Sequence, residues 1–149
     1  YAGINVPLGG TEISLWIMDN EGVWRPDTTG WPAGYSCSDI VFAPNGDLYA
    51  AAPARNNEQY PAPLRGVWKR DANGDWGDEP DLPNKFVWYL EATPNGDVYV
   101  SVVGGGVYGK PFGGEWGDTP EVLSGKDPQS FAVSSDGDIY ASGYNRRRY

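Results

Sequence analysis

Asp39 and Asp127 are the acids of this 149-residue chain that head strand-like apolar runs, "DIVFAP" and "DPQSFAV". Acid–base cleavage of a glycosidic bond needs two carboxylates about 5 to 10 Å apart. These two are the candidates for it, although nothing in their spacing brings them together. Nucleophile–histidine chemistry is excluded, because the chain has no histidine. Cys37 is the only cysteine, so it forms no intramolecular disulfide, and with no histidine to activate it a buried or half-buried thiol is expected. Asp47, Asp97 and Asp138 each follow an Asn-Gly or Asp-Gly pair and could be imagined as calcium ligands. The spacing of an EF-hand loop is absent, however, and a hairpin turn needs no metal. No metal and no cofactor are expected.

Charge narrows the partners. Twenty acidic against 11 basic residues give a net charge of −9, which repels a nucleic-acid backbone and an anionic membrane surface. Only the tail "YNRRRY" is basic. No apolar run approaches the roughly 18 residues needed to cross a bilayer, so neither nucleic-acid binding nor membrane insertion is expected. The chain begins with Tyr rather than Met and shows no signal peptide. That fits a processed extracellular or cell-surface protein, or a fragment of something longer.

The elements that must position these residues are written as a repeat. "GVWKRDANGDWGDEP" from Gly66 returns 40 residues later as "GVYGKPFGGEWGDTP" from Gly106. "FAPNGDLYA", "ATPNGDVYV" and "VSSDGDIYA" echo one another, and their tyrosines Tyr49, Tyr99 and Tyr140 recur 50 and 41 residues apart. Aromatic pairs lie between these marks: Trp16 with Trp24, Trp68 with Trp76, Tyr108 with Trp116. Each repeat parses into four short strands. In the first, "FVWYLEA", alternation places Phe86, Trp88 and Leu90 on one side and Val87 and Tyr89 on the other. "PNGD" or "SDGD" then closes a hairpin, for which a type I′ turn is expected. The second strand is "DVYVSVV" and the third is "GVWKR". A tryptophan after "NGD" or "GGE" opens a fourth strand, which the following prolines end because they cannot donate to a ladder. No segment has a helical period.

Four antiparallel strands repeating at 40 to 50 residues suit a β-propeller blade. The expected fold is all-β, about three blades' worth: a partial blade over 1–37, blades over 38–86 and 87–127, and a partial blade over 128–149. Trp24, Trp76 and Trp116 are expected to lock each hairpin onto the next blade.

"LPNKFVWYLEATPNGDVYVSVVGGGVYGK" resembles the blade of two-component-regulator sensor propellers. The "GVW…GDW" hairpin is similar to the Asp-box hairpin of sialidase-like repeat families, with Asp19 and Asp71 standing five residues before Trp24 and Trp76. The Ser or Thr of an Asp-box is absent and Pro111 replaces the Asp of the third copy, so the resemblance implies the fold rather than an activity.

Loops held on a rigid scaffold are where binding residues tend to lie. Trp31, Tyr35, Arg55, Tyr60 and Lys126 are the loop aromatics and cations expected to be exposed. Asp39, Tyr89 and Ser130 take matched positions on the first strands, where they face a neighbouring blade or a central channel. The function expected is a non-catalytic secreted or cell-surface module that binds glycan or protein through one loop face. The alternatives are an assembly subunit of a larger particle or filament, and a fragment of an Asp-box glycoside hydrolase. Three blades do not close a propeller, so the expected partners include further blades, from a longer parent chain or from another copy.

Overall fold

The computed structural model describes residues 2–3, 15–27, 30–31, 37–52, 66–77, 81–82, 85–117 and 123–144. Among them the chain is all-β, with no helix. The first sheet comprises β1 (Ala2–Gly3), β2 (Leu15–Met18) and β3 (Trp24–Pro26). The second holds β4 (Asp39–Phe42), β5 (Leu48–Ala52) and β6 (Gly66–Arg70). The third holds β7 (Val87–Ala92), β8 (Val98–Val102) and β9 (Gly106–Lys110). The last consists of β10 (Asp127–Val133) and β11 (Ile139–Tyr144). Strands follow chain order within each sheet, and every pair is antiparallel.

The hairpins differ from the type I′ turns expected. In "APNGD" Gly46 N–H donates to Ala43 O at 2.9 Å and Ala43 N–H donates to Asp47 O at 2.9 Å. Gly46 has φ 90°, whereas Asn45 is not in the positive-φ region that a type I′ turn demands of both central residues. The loop is a type I turn followed by a left-handed glycine, the other common hairpin closure. The same pair of hydrogen bonds recurs at Asp19, Asp71, Thr93 and Ser134. At these four the first side chain strengthens the turn, which Ala43 cannot do. Asp71 Oδ1 accepts from the N–H groups of Asn73 and Asp75 at 2.9 and 3.0 Å, and Thr93 Oγ1 accepts from Asp97 N–H at 3.0 Å.

Among the described residues the fourth strand expected of each repeat is realised only as β3 in the first sheet. In the second it shrinks to a bridge between Arg70 and Trp76, extended by Gly77 N–H to Lys69 O at 3.0 Å. In the third, Gly117 N–H reaches Gly109 O at 3.1 Å, and no strand forms there among the described residues. Glycine follows the tryptophan in both copies and gives the strand no side chain to pack.

Two apolar clusters join successive sheets. Leu15 and Trp31 pack with Cys37, Ala50, Ala52 and Trp68 between the first and second sheets. Tyr49, Ala51, Val67 and Leu82 pack with Leu90, Val98, Val100 and Tyr108 between the second and third. Alternation along β5 explains the division: Ala50 and Ala52 face one neighbour, Tyr49 and Ala51 the other. Fully burying a valine or leucine side chain contributes about 1.5–3 kcal/mol, which drives the sheets together. The first strands also meet, β4 against β7 and β7 against β10. No closed ring of sheets is present among the described residues.

Trp76 and Trp116 face the preceding sheet rather than the next one, and Trp24 is exposed. Trp76 lies opposite Arg70, two residues along from Trp68, and therefore on the same face as Trp68. Its ring meets Trp31 edge-on, centroids 5.0 Å apart. Trp116 packs in the cluster that includes Leu82.

Candidate functional site

The first strands β4 and β7 bring polar and aromatic groups together at the junction of the second and third sheets. Asp39 opens β4, where its Oδ1 accepts from Ile40 N–H at 2.9 Å. Its Oδ2 reaches across to the third sheet and accepts from Leu90 N–H at 2.8 Å. Ser38 Oγ donates to Trp88 O at 2.9 Å beside it. Burial pushes the Asp39 carboxyl above its ordinary pKa, against the lowering effect of those two N–H donors. Glu91 on β7 is raised too, by burial first and by the Asp39 charge second. The Asp39 charge is thus felt at Glu91 across the junction of the two sheets.

A β-bulge supplies the aromatic part. Val87 pairs with Val102 and Leu90 with Val100, so Trp88 and Tyr89 together stand opposite Ser101. Ser101 Oγ accepts from Tyr89 N–H at 3.1 Å, which satisfies the backbone donor freed from the ladder. Val87 and Leu90 are both buried as a result, while Trp88 and Tyr89 are both half-buried. The simple alternation expected for "FVWYLEA", with Trp88 and Leu90 sharing a side, is overturned at this point. The Trp88 and Tyr89 rings stack at 6.4 Å and 29°, and Phe86 meets Trp88 edge-on at 5.7 Å. Asp39 is bonded to the backbone of Leu90, the residue after these rings, and Glu91 follows on the same strand. Stacked rings and carboxyls on one stretch can offer a flat apolar surface together with acceptors for hydroxyl groups.

The other candidates are dispersed. Trp31, expected to be exposed, is 8% exposed; Trp68 and Trp76 pack around it edge-on, because a large apolar ring next to the sheet junction gains more from burial than from solvent. Lys126 is exposed in the turn before β10 and its N–H donates to Leu123 O at 2.9 Å. Ser130 is exposed on β10. Asp127, the second acid of the hydrolytic pair, is buried and accepts from Gly104 N–H through Oδ1. Tyr35, Arg55 and Tyr60 lie outside the described residues, as does the arginine tail.

The acids of the "NGD" turns serve their hairpins. Asp47 pairs with Lys69 at 3.0 Å and accepts from Asn45 Nδ2 at 2.8 Å, and Asp97 Oδ1 accepts from Phe112 N–H at 2.8 Å. Among the described residues no group of three or more His, Cys, Asp or Glu is placed to hold a metal ion. Cys37 is buried, its Sγ donates to Asp39 O at 3.5 Å, and burial pushes its pKa up to about 12.

Ser38, Glu91, Trp88 and Ser101 were not singled out by sequence reasoning. The bulge that assembles them carries no glycine or proline to mark it, and the pairing across sheets has no local pattern. Comparison with protein-family models, with curated proteins and with solved structures found no match to the chain.

Proposed function

We propose that the chain is a segment of a β-propeller scaffold, secreted or displayed at a cell surface, that binds a glycan without chemically altering it. The blade arrangement is supported by sheets that follow in series with their first strands packed together, β4 on β7 on β10. The observation that carries the binding reading is the bulge in β7, which holds the stacked Trp88 and Tyr89 rings half-buried on the stretch of strand that also carries Glu91 and the Asp39 contact to Leu90. Sugar rings present C–H faces to aromatic planes and hydroxyls to carboxylates, so the two halves of this arrangement suit one ligand class. A non-catalytic role is favoured over hydrolysis because Asp39 and Asp127 both spend their carboxylates on backbone N–H groups.

A glycan array probed with the wild-type chain and with Tyr89→Ala tests the reading. The expected result is a restricted set of bound glycans whose affinity drops at least about tenfold in the variant, the equivalent of about 1.4 kcal/mol. Glycan binding that ignores both Tyr89→Ala and Trp88→Ala places the site elsewhere, and an array with no bound glycan sinks the proposal. The assembly reading is favoured by a separate observation, the uncovered Trp24 and Tyr140.

A further inference from the structure

The two outer sheets are complementary. In the second sheet the order is first strand β4, second β5, third β6, then the bridging Trp76. The sheet β10–β11 supplies a first and a second strand, and β2–β3 supply a third and a fourth. Among the described residues β11 has no partner on its far edge. Among the same residues β2 is paired on its corresponding edge only with Ala2 and Gly3.

Their registers match as well. Ala50 pairs with Ile40 on one side and Trp68 on the other. Val100 pairs likewise with Leu90 and Tyr108. Ala141 pairs with Phe131 on β10 and is their counterpart, while Ala2 holds the same place opposite Trp16. A strand shaped like β11 therefore fits the edge of β2 with Ala141 opposite Trp16, over a longer stretch than the two residues of β1.

Exposure differs between matched residues of the inner and outer sheets. Tyr49 is 4% exposed because the third sheet covers it, whereas its counterpart Tyr140 is 65% exposed. Trp76 and Trp116 are half-buried against a preceding sheet, whereas Trp24 is 47% exposed and Met18, the counterpart of Arg70, is 52% exposed. The same residue type in the same register is covered inside the chain and bare at its two outer sheets. What covers it inside is another sheet of the same repeat.

We propose that β11 of one copy pairs with β2 of a second copy, displacing β1, so that β10–β11 and β2–β3 form one four-stranded sheet. In that sheet Tyr140 faces the second copy's β4–β5–β6, as Tyr49 faces β7–β8–β9. Met18 and Trp24 face the first copy's β7–β8–β9. Strand addition of this kind satisfies open edge groups with main-chain hydrogen bonds. The contact is heterologous, and two such junctions close a pair of copies. The inference does not depend on glycan binding.

Light scattering of the 149-residue chain across the micromolar range tests it, with far-ultraviolet circular dichroism as the folding control. The wild-type chain is expected at the mass of two chains. Met18→Glu with Trp24→Glu, and separately Tyr140→Glu, are each expected at the mass of one chain with unchanged dichroism, since these side chains are exposed within a single copy. An equal mixture of the two variants recovers the two-chain mass, because one contributes an intact β11 end and the other an intact β2 end. If a glutamate variant fails to fold, Tyr140→Ser and Met18→Ser carry the same comparison. A folded wild-type chain that stays at the mass of one chain overturns the proposal, its outer sheets then being left to other residues of a longer polypeptide or to a different protein. Dimers insensitive to Tyr140 substitution, or variants that do not complement on mixing, overturn it equally.

Discussion

Asp39 and Leu90 join two sheets that share no strand: the Asp39 Oδ2 accepts the Leu90 N–H at 2.8 Å. Backbone donors on the edge of a first strand have no ladder partner there, and a carboxylate from the neighbouring sheet supplies one. Removing the acceptor with Asp39→Ala leaves the Leu90 N–H unsatisfied at a half-buried junction. The expected cost is about 1–3 kcal/mol in urea denaturation, and Asp39→Asn, which keeps an oxygen, is expected to cost less.

The same pair makes a prediction in pH. Burial raises the Asp39 pKa above its ordinary 3.8 in the folded chain, so the folded state holds this proton where the unfolded state has lost it. Its contribution is greatest below 3.8 and declines as pH rises toward the raised folded value, staying flat beyond it. Asp39→Asn removes that slope. Relative to wild type, the variant is expected to lose more stability at about pH 3 than at about pH 7, a difference read from denaturation curves at the two values. The reverse order would show that the carboxylate, not the acid, is the form the fold favours.

Cys37 is expected to resist alkylation in the native state at mildly alkaline pH, since burial pushes its pKa up to about 12. Labelling with iodoacetamide should proceed only as denaturant unfolds the chain. Cys37→Ser should retain ligand binding while losing about 1–3 kcal/mol of stability from burying a hydroxyl in the thiol's place. Rapid native labelling would contradict the buried setting.

Two hairpin glycines separate backbone strain from crowding. Gly137 has φ 90° with nothing within 4 Å of an added Cβ, so Gly137→Ala is expected to cost only the left-handed strain, about 1–2 kcal/mol. Gly96 has φ 94°, and a Cβ there would meet Phe112 Cδ2 at 2.5 Å. Overpacking adds about 1–3 kcal/mol to the same strain, so Gly96→Ala should lower the urea midpoint further than Gly137→Ala. Equal shifts would mean that Phe112 simply swings aside.

Trp68 is 3% exposed between the first two sheets, and its truncation to alanine is expected to cost about 3–5 kcal/mol. Tyr108 holds the matched position one repeat later and is also buried, so Tyr108→Ala belongs in the same class. A midpoint change no larger than that of a surface residue would show, for Trp68→Ala, that the cluster around Trp31 does not hold the first two sheets together and, for Tyr108→Ala, the same of the cluster between the second and third.

Much of the architecture is legible in local pattern. The all-β class, the hairpins at "NGD" and "DGD", and the pairing of each "DxY" strand with its neighbours depend on turn residues and two-residue alternation, which act within one hairpin. The turn geometry was less so. Asn-Gly suits several hairpin closures, and the hydrogen bonds from Gly46 to Ala43 and from Ala43 to Asp47 selected the type I turn. The candidate site was legible only in part: Asp39 and Tyr89 stand out by their matched positions, whereas Trp88, Glu91 and Ser101 join them through a bulge that alternation does not announce.

By itself, then, the amino-acid order determined the first three strands of the repeat and where each hairpin closes, though not the length of the fourth strand, because propensity and turn chemistry are decided by neighbours along the chain. The tertiary structure alone decided that Trp31 is core, that Trp76 leans on the preceding sheet, that Asp39 is tied to Leu90, and that Trp24 and Tyr140 are bare where their counterparts are covered. Each of these depends on which sheet lies against which face, and burial of one residue type at one repeat position changes with the presence of that neighbour, which no local pattern encodes.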